Sequence, residues 1–81
     1  MVEVEIEYCV PCGLLAPAMR TERALLEEFG QDVTKIVLRP SHGGVFEVRA
    51  DGETIWDKEV HGGELDLNSV TDAVRERTLT A

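Results

Sequence analysis

Val2-Glu3-Val4-Glu5-Ile6-Glu7-Tyr8 alternates apolar and acidic positions without a break, the period of a strand with one dry and one wet face. Val2, Val4, Ile6 and Tyr8 are expected to point inward, and Glu3, Glu5 and Glu7 to water. A strand covered on both faces would not carry three carboxylates on one side, so helices are expected on a single face of the sheet. From Gly13 to Gly30 the repeat changes to steps of three and four. Leu15, Ala18 or Met19, Leu25, Leu26 and Phe29 form the expected inward stripe, with Glu22 as its polar interruption. Pro17 is tolerated in the first turns if the helix starts late, near Leu14 to Ala16. Gly30 is placed to stop it in the left-handed conformation.

Val33-Thr34-Lys35-Ile36-Val37-Leu38-Arg39 predicts a second strand, ended by Pro40 and the loop Ser41-His42-Gly43-Gly44. Strand, helix and strand predict a parallel pair joined by a right-handed crossover. A third strand is expected over 45–50, with Phe46 and Val48 inward. Asp51-Gly52 is a strong type I′ turn signal, leading into a fourth strand over 53–58. His61-Gly62-Gly63 reads as a loop. Asp66 or Asn68 is placed to cap a last helix whose inner residues are Leu67, Val70, Ala73 and Val74, extending to Arg77. Ser69 and Asp72 offer a weaker capping box. The order β-α-β-β-β-α predicts an α/β chain, a two-layer α+β sandwich: a four-stranded mixed sheet with two helices on one face, in a single domain over residues 1–81. That is a reduced thioredoxin-like layout.

Composition narrows the class. The chain has 81 residues, 43% of them apolar, and a net charge of −8 from 16 acids and 8 bases. Its size is near the lower limit for a self-sufficient core, and its apolar share excludes a disordered chain. No apolar run approaches the ~18–20 residues of a membrane span. The acidic, alternating start resembles neither a signal nor a transit peptide, so a cytoplasmic protein is expected. The charge argues against nucleic acid and against an anionic membrane surface as partners. Lys35 and Lys58 are the only lysines. An acidic, lysine-poor domain suits a salt-rich cytosol, as in a haloarchaeon, where cations screen self-repulsion.

The candidate chemistry sits in Cys9-Val10-Pro11-Cys12, which holds both cysteines of the chain. It falls between the first strand and the first helix. Thiols at this spacing can close a small disulfide ring and pass two electrons, and a helix start favours a thiolate. A C-x-x-C beside a β-α-β pattern reads first as a thioredoxin-like redox motif, with Cys9 and Cys12 as the catalytic pair. An inert buried thiol pair is the plainer reading. Zinc would need two more ligands, for which His42 and His61 are the imidazole candidates; their distances from Cys12 match no compact finger spacing. No metal and no other cofactor is therefore expected, although two chains sharing a metal through their cysteine pairs is a further arrangement. Gly43-Gly44 lacks the glycines and lysine of a phosphate loop. The glutamates of the first strand lie on one solvated face, where nothing would raise a pKa. Pro40 falls where thioredoxin-like folds place a cis-proline, but X-Pro bonds are more often trans, and trans is expected. Trp56 is expected in the core rather than on a docking surface.

Together these residues resemble the selenoprotein W family, the Rdx group that also includes selenoproteins T, H and V. The resemblance runs from Val4 to about Lys58 and is weak beyond it. It is carried by Ile6-Glu7-Tyr8-Cys9-Val10-Pro11-Cys12-Gly13, Val37-Leu38-Arg39-Pro40, Gly43-Gly44-Val45-Phe46-Glu47-Val48, and Asp51-Gly52 followed by Ile55-Trp56-Asp57-Lys58. It implies a thioredoxin-like fold and a thiol-based oxidoreductase or redox-regulatory role, with a protein or a low-molecular-weight thiol or disulfide as partner. It also places the selenocysteine position of animal members on Cys12, which carries sulfur here. Thioredoxin logic would make Cys9 the attacking thiol, so both cysteines stand as candidates. The alternative function is a non-catalytic interaction module, its thiols serving as a redox sensor or metal clip and its sheet face or Trp56 binding a protein.

Overall fold

The computed structural model describes residues 1–61 and 64–80, without the side chains of His61 and Thr80. Four strands, β1 (Val2–Cys9), β2 (Val33–Ser41), β3 (Phe46–Ala50) and β4 (Glu53–Asp57), form one sheet of order β2-β1-β3-β4. Helices α1 (Leu15–Phe29), α2 (Lys58–His61) and α3 (Leu67–Thr80) complete the chain. β1 pairs parallel with β2 and antiparallel with β3, and β3 pairs antiparallel with β4. This is the expected mixed α+β sheet, with one additional short helix, α2, where strand and loop were expected.

The alternation in β1 does what its period dictates. Val2, Val4, Ile6 and Tyr8 are all buried, and they meet Phe46, Val48 and Ala50 of β3, Trp56 of β4, Ala18 and Leu25 of α1, and Val70 and Val74 of α3. Both long helices therefore cover the same sheet face and touch one another. Trp56 is only 2% exposed. Its ring stands edge-on to Phe46, with centroids 5.8 Å apart and planes at 82°, a favoured aromatic geometry.

Two boundaries differ from expectation for local reasons. Pro40 lies inside β2 rather than after it, opposite Tyr8, and no peptide bond among the described residues is cis. β2 is an edge strand, where a residue without an N–H need not break a ladder. Lys58 leaves β4 and opens α2 after Asp57, whose Oδ1 accepts the Glu59 N–H at 2.9 Å. At the other end of β4, Asp51 and Gly52 have φ of 51° and 86°, both positive as a type I′ turn demands. The turn is tied to β1, because the Asp51 N–H donates to the Glu3 carbonyl at 2.8 Å and Asp51 Oδ1 accepts the Glu3 N–H at 3.1 Å.

The inner face of α1 keeps Ala18, Leu25 and Phe29 of the expected stripe and leaves the rest of it outside. Ala18, Thr21 and Leu25 are buried, with Leu14 and Phe29 packed at the margin. Leu15, Met19 and Leu26 are instead 47%, 53% and 48% exposed. The helix carries two apolar stripes, and the sheet takes the one that runs through Ala18, Thr21 and Leu25. Thr21 enters the core because its hydroxyl donates to the Pro17 carbonyl at 2.8 Å, so no polar group is stranded.

Between the two capping candidates the structure selects Asp66. Its Oδ1 accepts the N–H groups of Asn68 and Ser69 at 3.1 and 3.3 Å, and its Oδ2 accepts the Ser69 hydroxyl at 2.9 Å. These bonds hold its carboxyl below the ordinary value. Replacement Asp66→Ala removes this cap and should lower the urea midpoint with an unchanged slope. Ile6→Ala, which empties a fully buried position, should cost about 2–5 kcal/mol in the same assay.

Candidate redox site

Cys9 is the last residue of β1, and the turn after it returns the chain to α1. The two sulfurs are joined in a Cys9–Cys12 disulfide with Cα atoms 5.3 Å apart. Four backbone N–H groups in and beside the ring hold it in place. The Cys9 N–H donates to the Val45 carbonyl at 2.8 Å, and the Val10 N–H to the Ser41 carbonyl at 2.9 Å. The Gly13 N–H reaches the Val10 carbonyl at 3.0 Å and the Leu14 N–H the Cys9 carbonyl at 3.2 Å. The ring is thus suspended from the end of β2 on one side and from the start of the β3 segment on the other.

Cys12 is not at the helix start as expected. Gly13 has φ of 76°, a conformation that no helical residue adopts, and it sets Cys12 apart from α1. Leu14 is the N-cap and supplies no capping side chain. The two sulfurs differ in access. Cys9 is 1% exposed, sealed under the turn, whereas Cys12 is exposed. Pro11 and Val10 are exposed beside it, Val10 at 52%.

Under the ring, on the wet face of the sheet, lies an ionic cluster. Glu7 of β1 stands opposite Glu47 of β3, and Glu5 opposite Arg49. Like charges directly across a ladder repel. Arg49 resolves the conflict: Nη1 donates to Glu5 at 2.7 Å, and Nη2 to Glu7 at 2.9 Å and Glu47 at 2.7 Å. Thr54 also donates its hydroxyl to Glu47. The Arg49 guanidinium, with a bond from the Ser41 side chain, holds the Glu7 carboxyl below its ordinary value, and these contacts raise the Arg49 pKa. Ser41 is the residue whose carbonyl receives the Val10 N–H, so the cluster braces the strand end from which the ring hangs.

Sequence reasoning placed Glu3, Glu5 and Glu7 on a solvated face, which they occupy, but missed Arg49 as their common partner. The signal was present in the outward parity of Arg49 in β3; the register that sets it against Glu5 was not. Val45 acts through its carbonyl, and Ser41 through its carbonyl as well as its side chain; no residue type announces the backbone role. His42 is exposed, and the side chain of His61 lies outside the described residues, as do Gly62 and Gly63. Among the described residues, no three His, Cys, Asp or Glu side chains gather into a metal-binding group. No helix among them is long and apolar enough to cross a membrane.

A mixed sheet with a C-x-x-C disulfide at the junction of its first strand and first helix defines a thioredoxin-like thiol site. The sequence profile of the Rdx family matches residues 3–76, and the chain belongs to that family. The match runs past Lys58 into α3, further than the motifs alone suggested. A crystal structure of a selenoprotein W-related protein from Vibrio cholerae is similar with a TM-score of 0.90 at 27% identity, covering 95% of this chain and 96% of that one. A Bordetella parapertussis protein of known structure gives 0.89 at 34% identity, covering 94% and 96%. Mouse migration and invasion enhancer 1 is 30% identical over 74 residues, 91% of this chain, and its bovine counterpart 28%. The chain spans 63% of the length of these mammalian relatives.

The lowered Glu7 pKa makes a signed prediction. Its contribution to stability is complete above the ordinary glutamate value and is lost as pH falls through the lower folded one. Glu7→Gln should cost about 1 kcal/mol at pH 7 and flatten the dependence of unfolding free energy on pH below ~4.5. Urea unfolding between pH 3 and 7 checks both; parallel curves for the two proteins would remove Glu7 from the account.

Proposed function

We propose that the protein is a thiol–disulfide redox protein in which Cys9 and Cys12 act as one two-electron couple. The observation that carries this reading is the pair's unequal access within a single ring. In the oxidised form a substrate thiolate attacks the exposed Cys12 sulfur, forming a mixed disulfide and expelling Cys9 as the thiolate, which takes up a proton. A second substrate thiol then attacks its own bonded sulfur, releasing Cys12 and closing the substrate's disulfide. The protein gains two electrons and two protons, and the substrate loses them. Run backwards, the Cys12 thiolate attacks a substrate disulfide and the buried Cys9 resolves the adduct.

Membership of the Rdx family and the likeness to a selenoprotein W-related protein support this reading. The substrate is a protein or a small thiol or disulfide. The reading includes a cytoplasmic location, where thiols are kept reduced and such a pair would be restored after each turnover. The acidic, lysine-poor composition is the only feature pointing to a salt-rich cytosol, and the mammalian and bacterial relatives lend it no support. The alternative of a docking module using Trp56 as its contact is not favoured by a side chain buried against Phe46.

Single-cysteine variants test the assignment. Cys9→Ser leaves the exposed thiol and should accumulate mixed disulfides, on the order of tenfold more than Cys12→Ser, whose remaining thiol is sealed. Non-reducing gels after incubation with a disulfide-bearing substrate read the difference. Greater trapping by Cys12→Ser would reverse the roles.

A further inference from the structure

In a chain with twice as many acids as bases, a cation does not lack for carboxylates. Among the described residues, Arg23 meets Glu27, Lys35 meets Glu3, and Arg39 and Arg49 meet the glutamates of β1. Arg75 meets Glu28 and Asp72, and Arg77 meets Glu53. Arg20 and Lys58 have no carboxylate partner among these residues. Both line the same cleft.

That cleft has a volume of about 370 Å³ and apolar walls from Leu14, Leu65 and Leu67, with the buried rings of Phe46 and Trp56 beneath them, within the ~300–1,000 Å³ range of ligand sites. Glu64 is the one acid on its lining, so the two cations leave it positive in a negative protein. Leu14, on its lining, connects it to the redox ring. The Leu14 N–H is bonded to the Cys9 carbonyl, and only Gly13 separates Leu14 from Cys12. A chain whose sulfur is bonded to Cys12 therefore has this cleft within reach of its neighbouring residues, since each extended residue spans ~3.3–3.6 Å.

We propose that this cleft is the subsite that selects protein substrates, taking a segment with one apolar side chain and one carboxylate next to the reactive cysteine. The proposal rests on the thiol–disulfide reading of the ring. The apolar side chain packs on Leu65 and Leu67, over the buried Trp56 ring, and the carboxylate meets Arg20 and Lys58. A polyacidic partner is disfavoured by the net charge of −8, but that repulsion is screened beyond ~8 Å at physiological ionic strength. A single carboxylate in contact with two cations is attracted.

The test uses the wild-type disulfide form and the heptapeptide acetyl-Glu-Leu-Gly-Ser-Gly-Leu-Glu-amide, in which serine replaces cysteine and either chain direction can be read. Trp56, the only tryptophan, reports binding by its fluorescence. The peptide should bind roughly five- to tenfold more tightly than its Gln-for-Glu counterpart. The preference should vanish in the Arg20→Gln/Lys58→Gln double variant, persist in Arg20→Lys, and fade for the wild type in 1 M salt. Equal affinity for the two peptides, no measurable binding of either, or a preference surviving the double variant would overturn the proposal. Because a serine peptide needs no thiol chemistry, such a failure leaves the redox reading standing. An inert cysteine pair, conversely, would leave the peptide result readable.

Discussion

The burial of one face of β1 is the constraint from which the rest follows. Val2, Val4, Ile6 and Tyr8 can leave water only if the strand lies centrally, with α1 and α3 on one side. A slip of one residue would exchange these side chains for Glu3, Glu5 and Glu7. Register is therefore strongly specified, and with it the place where the strand ends. Cys9 is delivered to the point where β2 and the β3 segment both offer carbonyls, from Ser41 and Val45.

The wet face of the same strand would be costly without Arg49. Three carboxylates on β1 and Glu47 opposite concentrate negative charge on a protein already at −8. One guanidinium with hydrogen bonds to three of them converts that repulsion into a brace, because its fixed fork of donors satisfies several acceptors at once. Through Glu7 and Ser41 the brace reaches the strand end that carries the redox turn. The site is in this sense an outcome of the sheet. Strand pairing fixes Cys9, the glycine turn lifts Cys12 out, and a chemically symmetric C-x-x-C becomes a pair with one exposed and one sealed sulfur.

Much of this was legible in the residues. The alternation of β1, the Asp51-Gly52 turn and the position of the cysteines were read from local pattern, because each depends on neighbours in sequence. What was not legible depends on pairing in space. The two apolar stripes of α1 are nearly equivalent on paper, and only packing against the sheet and α3 puts Ala18, Thr21 and Leu25 inside and Leu15, Met19 and Leu26 outside. Pro40 reads as a strand stop until β2 is known to be an edge. Asp66 and Asn68 are equal capping candidates until the bonds from Asn68 and Ser69 select the former. The difference in access between Cys9 and Cys12 arises from a single positive φ at Gly13 and from strands far away in sequence.

The central claim is that Cys9 and Cys12 form one reversible couple, and a redox titration of the wild-type protein tests it most directly. The protein would be equilibrated in dithiothreitol buffers of graded potential, alkylated, and weighed by mass spectrometry. The account predicts a single transition with a two-electron slope, in which unlabelled and doubly labelled protein interchange and singly labelled protein stays scarce. Loss of label at one cysteine independently of the other, or a pair that never reoxidises to the disulfide, would contradict it.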